Sequence, residues 1–143
     1  MKTVANILNK KVCQYNMVEA GTNVMYALSL MNASHETFII VTRDDRYAGI
    51  VSERDYAQKV VLAGKSSQQT NVEEIMNCNL PTVSSTDTIE RCMMLMNAYR
   101  TRYLPVFDEF EFTNVITMND LISLSIINKE YRELVKNSSD KVF

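Results

Sequence analysis

The stretch LMNASHETFIIVTRDDRYAGIVSERDY, residues 30–56, returns without a gap as LMNAYRTRYLPVFDEFEFTNVITMNDL at residues 95–121. The offset between the two copies is 65 residues throughout. The identical pairs are Leu30/Leu95, Met31/Met96, Asn32/Asn97, Ala33/Ala98, Val41/Val106 and Asp55/Asp120. An internal repeat of this length predicts one supersecondary unit that is used twice.

Each copy shows the same succession of hydrophobic patterns. TNVMYALSLMNAS (22–34) and TDTIERCMMLMNAY (86–99) have apolar residues at helical spacing, and Thr22 and Asp87 are the predicted caps. TFIIV and RYLPV then predict short buried strands, in which Pro105 is expected at a strand end or edge. YAGIV and TNVIT predict the next strands, and closing helices follow from 53 and from 118.

The pattern divides the chain into four segments. Residues 1–62 form the first repeat, the polar segment 63–71 a linker, residues 72–128 the second repeat, and residues 129–143 a helical extension and tail. Helical turns at Val4–Leu8 and Val72–Met76 open the two repeats. The last helix is expected to run over 119–137.

Composition excludes several classes of function. The 143 residues are 46% hydrophobic and 22% charged, as in ordinary globular proteins, and the net charge of −2 offers no general attraction to nucleic acid or to anionic membrane. Three cysteines without CxxC spacing argue against a disulfide framework or a zinc site. No signal peptide or apolar run of about 18 residues is present, so a cytoplasmic protein is expected.

The stretches GIVSERDYAQKVVLAGKSSQQTNVEEIM (49–76) and RYLPVFDEFEFTNVITMNDL (102–121) resemble a tandem cystathionine-β-synthase (CBS) domain pair, or Bateman module. The first stretch is similar to the stand-alone two-CBS-domain proteins that are described as related to inosine-monophosphate dehydrogenase. The resemblance implies an α+β fold of two pseudo-symmetric β-α-β-β-α repeats packed sheet to sheet. It also implies a homodimer, and an adenosine ligand such as AMP, ADP, ATP, NAD or S-adenosylmethionine.

Two interpretations compete for the box Thr117–Asp120 and its copy Ser52–Asp55. A Ser or Thr followed three residues later by an acid is a helix capping box. The same carboxylate also suits the two hydroxyls of a ribose, with the Thr or Ser hydroxyl as a further contact, and this is the role that the resemblance implies. Both interpretations can hold together.

The resemblance assigns phosphate contacts to Arg102 and Arg54, and alternation along a strand would place Arg100 beside Arg102. A guanidinium suits phosphate because its donors form a planar fork. The alternative is a solvated helix end, where basic residues complement the helix dipole. The first repeat has His35 and Thr37 at the positions of the two second-repeat arginines, which favours one good site.

Adenine contacts are also carried over from the family. They fall on residues before and within the YLPV strand and at the start of the second repeat: Asn71, Met76, Thr82, Val83, Thr101 and Tyr103.

The sequence contains no P-loop, GxSxG, HExxH or paired Cys/His motif, so we expect no independent enzyme. The leading hypothesis is a regulatory module that binds an adenosine ligand and modulates an unidentified target protein. The runner-up is a nucleotide-independent dimerisation or scaffold module with degenerate clefts, and an adenylate-processing enzyme comes third.

Overall fold

The structure is a computed structural model, and it describes residues 1–11, 14–127 and 136–137. In chain order its elements are α1 (Val4–Leu8), β1 (Met17–Glu19), α2 (Val24–Ser34), β2 (Phe38–Arg43), β3 (Arg46–Ser52), α3 (Glu53–Tyr56) with a π-helical continuation (Ala57–Val61), α4 (Val72–Ile75), α5 (Ile89–Tyr99), β4 (Tyr103–Asp108), β5 (Glu111–Thr117) and α6 (Met118–Ile127). The order confirms a mixed fold in which the same set of elements occurs twice.

The chain divides into two compact units. The first-repeat unit comprises Cys13–Asn79, and the second-repeat unit comprises Met1–Val12 together with Leu80–Phe143. These units cut across the sequence repeats, because each repeat's opening helical turn lies in the unit of the other repeat.

The sheets of the two units share one pattern. In the first-repeat unit, β1 pairs in parallel with β2, and β2 pairs antiparallel with β3. In the second-repeat unit, β4 pairs antiparallel with β5, and a parallel bridge between Val83 and Val106 takes the place of β1. The predicted β-α-β-β-α repeat is therefore present in both copies.

Two-residue turns close both hairpins, at Asp44–Asp45 and at Glu109–Phe110. All four residues have positive φ, between 51° and 67°. Positive φ at both central residues is typical of type I′ turns, which match the twist of the flanking strands but usually contain Asn or Gly.

The two hydrophobic cores show how α1 and α4 are exchanged. Val4 and Ile7 are buried with Ile89 and other residues of the second repeat. Val72 and Ile75 are instead buried in the first-repeat unit. Backbone bonds reinforce each placement: the Val4 amide donates to Asp87 O over 2.9 Å, and the Val72 amide donates to Thr22 O over 2.8 Å.

The predicted caps Thr22 and Asp87 are each one residue too early. Asn23 caps α2 by accepting from the Tyr26 amide, and Thr88 caps α5 by accepting from the Arg91 amide. Asn, Asp, Ser and Thr are all good caps, so composition alone does not choose between adjacent candidates.

Pro105 is the third residue of β4, so it does not lie at a strand end, but β4 is an edge strand of its two-stranded sheet, which is the other predicted position. Its carbonyl accepts from the Val83 amide, and the Phe107 amide donates to Val83 O. The proline nitrogen therefore faces the side of β4 where the neighbour contributes only a bridge, so the missing donor costs little pairing.

The described part of the predicted closing helix is α6, Met118–Ile127. Residues 136 and 137 are helical, and the remainder of the predicted extension lies outside the described residues. None of the helices described is both long enough and apolar enough to span a bilayer.

Candidate functional site

The box at the junction of β5 and α6 forms the capping geometry that its spacing predicts. Thr117 Oγ1 accepts from the Asp120 amide over 3.2 Å, and Asp120 Oδ2 accepts from the Thr117 amide over 2.9 Å. Thr117 is 8% exposed, although it is polar. The two reciprocal bonds satisfy backbone donors that the first turn of a helix leaves unpaired.

A lysine from the N-terminal segment also binds this box. Lys11 Nζ lies 2.7 Å from Asp120 Oδ2 and 2.7 Å from the Val115 carbonyl oxygen. The side chains of Lys11 and Asp120 are only 6% and 18% exposed. Within the described residues, Asp120 Oδ1 has no hydrogen-bond partner, so this oxygen is the part of the carboxylate that remains able to accept.

The first-repeat box has the same cap but a different environment. Ser52 Oγ accepts from the Asp55 amide, and Asp55 Oδ2 accepts from both the amide and the hydroxyl of Ser52. Asp55 Oδ1 pairs with Lys59 Nζ over 3.1 Å, and this lysine also donates to Ile75 O. Both oxygens of Asp55 are therefore engaged.

The three candidate phosphate-binding arginines are exposed at the ends of elements. Arg100 caps the end of α5 in the left-handed conformation, with φ 52° and ψ 44°. It does not lie on extended backbone, so the argument from strand alternation that placed it beside Arg102 is wrong. The position fits the alternative interpretation, a solvated helix end.

Arg102 precedes β4, and its carbonyl accepts from the Met118 amide over 2.9 Å. Its backbone is thereby tied to the first residue of α6, close in the chain to Asp120. Arg54 is the second residue of α3 and is exposed. In the described part of the chain, the guanidinium groups of Arg54, Arg100 and Arg102 have no hydrogen-bond or ion-pair partner.

Two of the predicted adenine-contacting residues lie beside the Thr117–Asp120 box. Tyr103 pairs with Thr117 across β4 and β5. Thr101 Oγ1 accepts from the Tyr103 amide and donates to the Tyr103 carbonyl, which shapes the entry to β4. The structure thus brings Thr101, Arg102 and Tyr103 together with the box in one unit.

The other adenine candidates are placed differently. Val83 is 2% exposed, and its amide and carbonyl are both bonded within the sheet, whereas Thr82 is exposed. Asn71 and Met76 belong to the first-repeat unit. Asn71 forms a capping box with Glu74, and Met76 is half-buried against that unit's core.

Sequence reasoning missed the two lysines that hold the box carboxylates. The spacing of Asp55 and Lys59, four residues apart on a helix, is a recognised signal for an ion pair. Lys11 gave no such signal, because it lies 109 residues from Asp120 in the chain.

The side chains around the second-repeat box can both accept and donate hydrogen bonds. A carboxylate with one open oxygen can accept from hydroxyl groups, and an exposed guanidinium can donate to an anion. Over the described ranges, no group of three or more His, Cys, Asp and Glu residues is arranged to hold a metal ion.

Comparison with known proteins agrees with this architecture. The family model for the CBS domain matches residues 4–61 and again residues 72–126. A solved CBS-domain protein from Burkholderia ambifaria is 37% identical, with a TM-score of 0.83, and the match covers 89% of this chain and 96% of that one.

Two curated relatives extend the comparison. CBS domain-containing protein YhcV of Bacillus subtilis is 23% identical over 95% of this chain and 96% of its own length. The mitochondrial CBS domain-containing protein CBSX3 of Arabidopsis thaliana is 33% identical over 61% of this chain. That match spans 43% of the Arabidopsis protein, less than half of its length.

Proposed function

Because the chain belongs to the CBS-domain family, and its CBS pair is a regulatory kind of module, we propose that it binds an adenosine ligand and modulates a target protein. The ligand class comprises AMP, ADP and ATP, with NAD and S-adenosylmethionine as further members. The protein acts without catalysis, as a homodimer in the cytoplasm, and needs neither nucleic acid nor membrane.

The observation that carries this proposal is the open oxygen of Asp120. Its Oδ2 already accepts from the Thr117 amide and from Lys11, but its Oδ1 has no partner among the described residues. A half-buried carboxylate oxygen without a donor is a good acceptor for a sugar hydroxyl, because a charged acceptor makes shorter and stronger bonds than a neutral one.

Positive charge near the same box supports an anionic ligand. The Arg102 carbonyl is bonded to the first residue of α6, and the Arg102 guanidinium is exposed without a described partner. Arg100 adds a second exposed guanidinium two residues earlier. A sugar-binding carboxylate and phosphate-binding cations on one unit together suit a nucleotide.

The first repeat is the weaker candidate. Both oxygens of Asp55 are already bonded, to Ser52 and to Lys59. The repeat also carries His35 and Thr37 at the positions of Arg100 and Arg102. We therefore propose that the second-repeat site is the principal one, with Thr101 and Tyr103 beside the base.

The test is calorimetric titration of AMP, ATP, NAD and S-adenosylmethionine into ligand-free wild type, Asp120→Asn and Asp55→Asn. Loss of a charge-assisted bond at Asp120 should cost about 1.5–3 kcal/mol of binding free energy, which is roughly tenfold or more in Kd. Asp55→Asn is the matched control, since it makes the same change in the box whose oxygens are both engaged.

Equal effects of the two substitutions would contradict the preference for the second repeat. Thermal unfolding of each variant separates a binding defect from a folding defect, because Asn at 120 also weakens the partner of the buried Lys11. If none of the four ligands gives heat with the wild type, the proposal fails.

A scaffold without a ligand is the second candidate, and exposed apolar side chains favour it. Met25 and Tyr26 on α2 are 46% and 56% exposed, and Met94 and Tyr99 on α5 are each 58% exposed. Large exposed apolar side chains on a helix can contribute to an association surface. A stable dimer in sedimentation, with no heat from any ligand, would support this function in place of the first.

A further inference from the structure

The two box carboxylates are both bound by lysines, but the lysines come from different places. Lys59 lies on the same helical segment as Asp55, and its side chain is 42% exposed. Lys11 comes from the N-terminal segment, and its side chain is 6% exposed. Each lysine donates also to a backbone carbonyl, that of Ile75 or of Val115.

The second repeat has no lysine of its own for this role. The residue at the position equivalent to Lys59, 65 residues later, is Leu124, which is 7% exposed in the core. The partner of Asp120 is therefore supplied by the segment that follows α1. The ion pair of the second box therefore depends on the docking of that segment, whereas the ion pair of the first box lies within one helical segment.

We propose that Lys11 holds the Asp120 carboxylate in the ligand-free protein and is displaced when the ligand binds. An adenosine ligand whose two ribose hydroxyls bind this carboxylate takes the place of the Lys11 ammonium and loosens residues 9–11. The proposal rests on the function proposed above, and it adds the segment through which that site signals ligand binding.

The competition follows from the number of acceptor positions on the carboxylate. Each oxygen has room for about two hydrogen bonds, and Oδ2 already accepts from the Thr117 amide and from Lys11. Two hydroxyls on neighbouring carbons fit one to each oxygen, so the second hydroxyl meets an oxygen that is full. The Thr117 amide is held in the backbone, and Lys11 is the donor that can move.

The loosening of residues 9–11 should not extend back into α1. Val4 is 0% exposed and Ile7 is 7% exposed, and the Val4 and Ala5 amides donate to Asp87 and Ser85 over 2.9 Å. Loss of one ion pair does not undo this burial.

Residues 9–11 are held much less firmly. Asn9 and Lys10 are exposed, and the Lys10 and Lys11 amides donate to Ile7 O and Leu8 O in the preceding turn, over 3.1 Å and 3.2 Å. Lys11 is also next to the boundary at which the chain passes from one unit to the other, after Val12. A ligand bound in the second repeat thereby acts on the segment that follows α1.

The first measurement compares AMP binding to Lys11→Met and to its matched control, Lys59→Met, by calorimetry. Methionine preserves the length and the apolar stem but cannot compete for the carboxylate. Removal of a charge-assisted competitor should tighten AMP binding to Lys11→Met by about tenfold. Lys59→Met should stay within about twofold of wild type, because an exposed pair on one helix contributes little.

The second measurement is amide hydrogen exchange with and without AMP. In the wild type, AMP should accelerate exchange at Asn9, Lys10 and Lys11 and leave Val4 and Ala5 protected. In Lys11→Met the first three amides should exchange fast already, and AMP should add nothing. Lys11→Gln carries the same expectation if the methionine variant does not fold.

The possible failures are distinguishable. If AMP binds and Asp120→Asn abolishes binding, but Lys11→Met leaves AMP binding unchanged or weaker, the proposed displacement of Lys11 is wrong and the sensor function stands. If neither wild type nor Lys11→Met binds AMP, ATP, NAD or S-adenosylmethionine, both proposals fall together.

Discussion

Asp55 and Asp120 occupy the same position of the same box, yet their second oxygens have different surroundings. At Asp55 the second oxygen is bound by Lys59, one turn along the same helix. At Asp120 the lysine binds the oxygen that already serves the cap, and the second oxygen has no partner among the described residues. The helix-capping and sugar-binding interpretations are therefore compatible at Asp120, since the cap occupies only one acceptor position, on Oδ2.

At the scale of single residues, we predict that the two cysteines the structure describes, Cys78 and Cys92, differ sharply in reactivity. Cys92 is 0% exposed, and burial, with a smaller contribution from the Asp87 charge, raises the pKa of its thiol to about 12. Only the thiolate reacts with alkylating reagents, so Cys92 should stay unmodified in the folded protein up to pH 9. Cys78 is exposed and should react. Peptide mapping by mass spectrometry after iodoacetamide treatment measures both.

The raised pKa of Cys92 also makes the stability of the folded protein depend on pH. Because the folded pKa of Cys92 lies above the ordinary thiol value of 9.0, the native state favours the neutral thiol. The stabilisation that the neutral buried thiol contributes to the folded state is fully present below pH 9 and is lost as the pH rises towards 12. Modification of Cys92 at neutral pH without denaturant would contradict the buried position.

At the scale of elements, several helices are too short to be stable alone. α1 has five residues and α4 has four, and helices below about 12 residues are marginal in water. Both open with a capping box, and both bury their apolar residues in a core. Packing and capping, rather than helix propensity, maintain them.

In the hairpin turn Glu109–Phe110, the residue types are poorly suited to the backbone conformation. Phe110 has φ 67° and is fully exposed, so its ring gains no packing while its Cβ opposes the left-handed conformation. We predict that Phe110→Gly stabilises the protein by about 0.5–1 kcal/mol, the relief of strain less the extra chain entropy of glycine. Chemical denaturation measures the difference.

The control for this prediction is the adjacent Glu111→Gly. Glu111 is the first residue of β5, and no positive φ requires glycine there. Glycine in a strand weakens it, so this variant should be destabilised. If Phe110→Gly were equally destabilising, the exposed ring would have a packing role that the turn geometry does not reveal.

At the scale of the whole molecule, the exchange of α1 and α4 leads to a reciprocal prediction. Val4→Ala should loosen the second-repeat unit, and Val72→Ala should loosen the first-repeat unit, because each valine is 0% exposed in the core of the other repeat. Each loss of two methyl groups should cost about 1–3 kcal/mol.

Amide exchange locates the effect of each substitution. Val4→Ala should accelerate exchange in β4 and β5 more than in β2 and β3, and Val72→Ala should do the reverse. Acceleration within the residue's own sequence repeat would contradict the exchanged arrangement.

Much of the fold and part of the site were predictable from sequence. The strands, the hairpins, α2 and α5 follow from hydrophobic periodicity, since the spacing of apolar residues is a local property. The reciprocal caps at Ser52–Asp55 and Thr117–Asp120 follow from a spacing of three residues. The caps of α2 and α5 were each one residue off, because Thr22 and Asn23 are both suitable.

The sequence by itself determined that one pattern of elements occurs twice, where each element lies, and which residues form the two boxes. Only the tertiary structure decided which core receives Val4 and which receives Val72, and that Lys11 binds Asp120. The physical reason is that hydrophobic burial has no direction and the two cores have similar composition. A repeat identifies what each segment is, while long-range packing determines its neighbours.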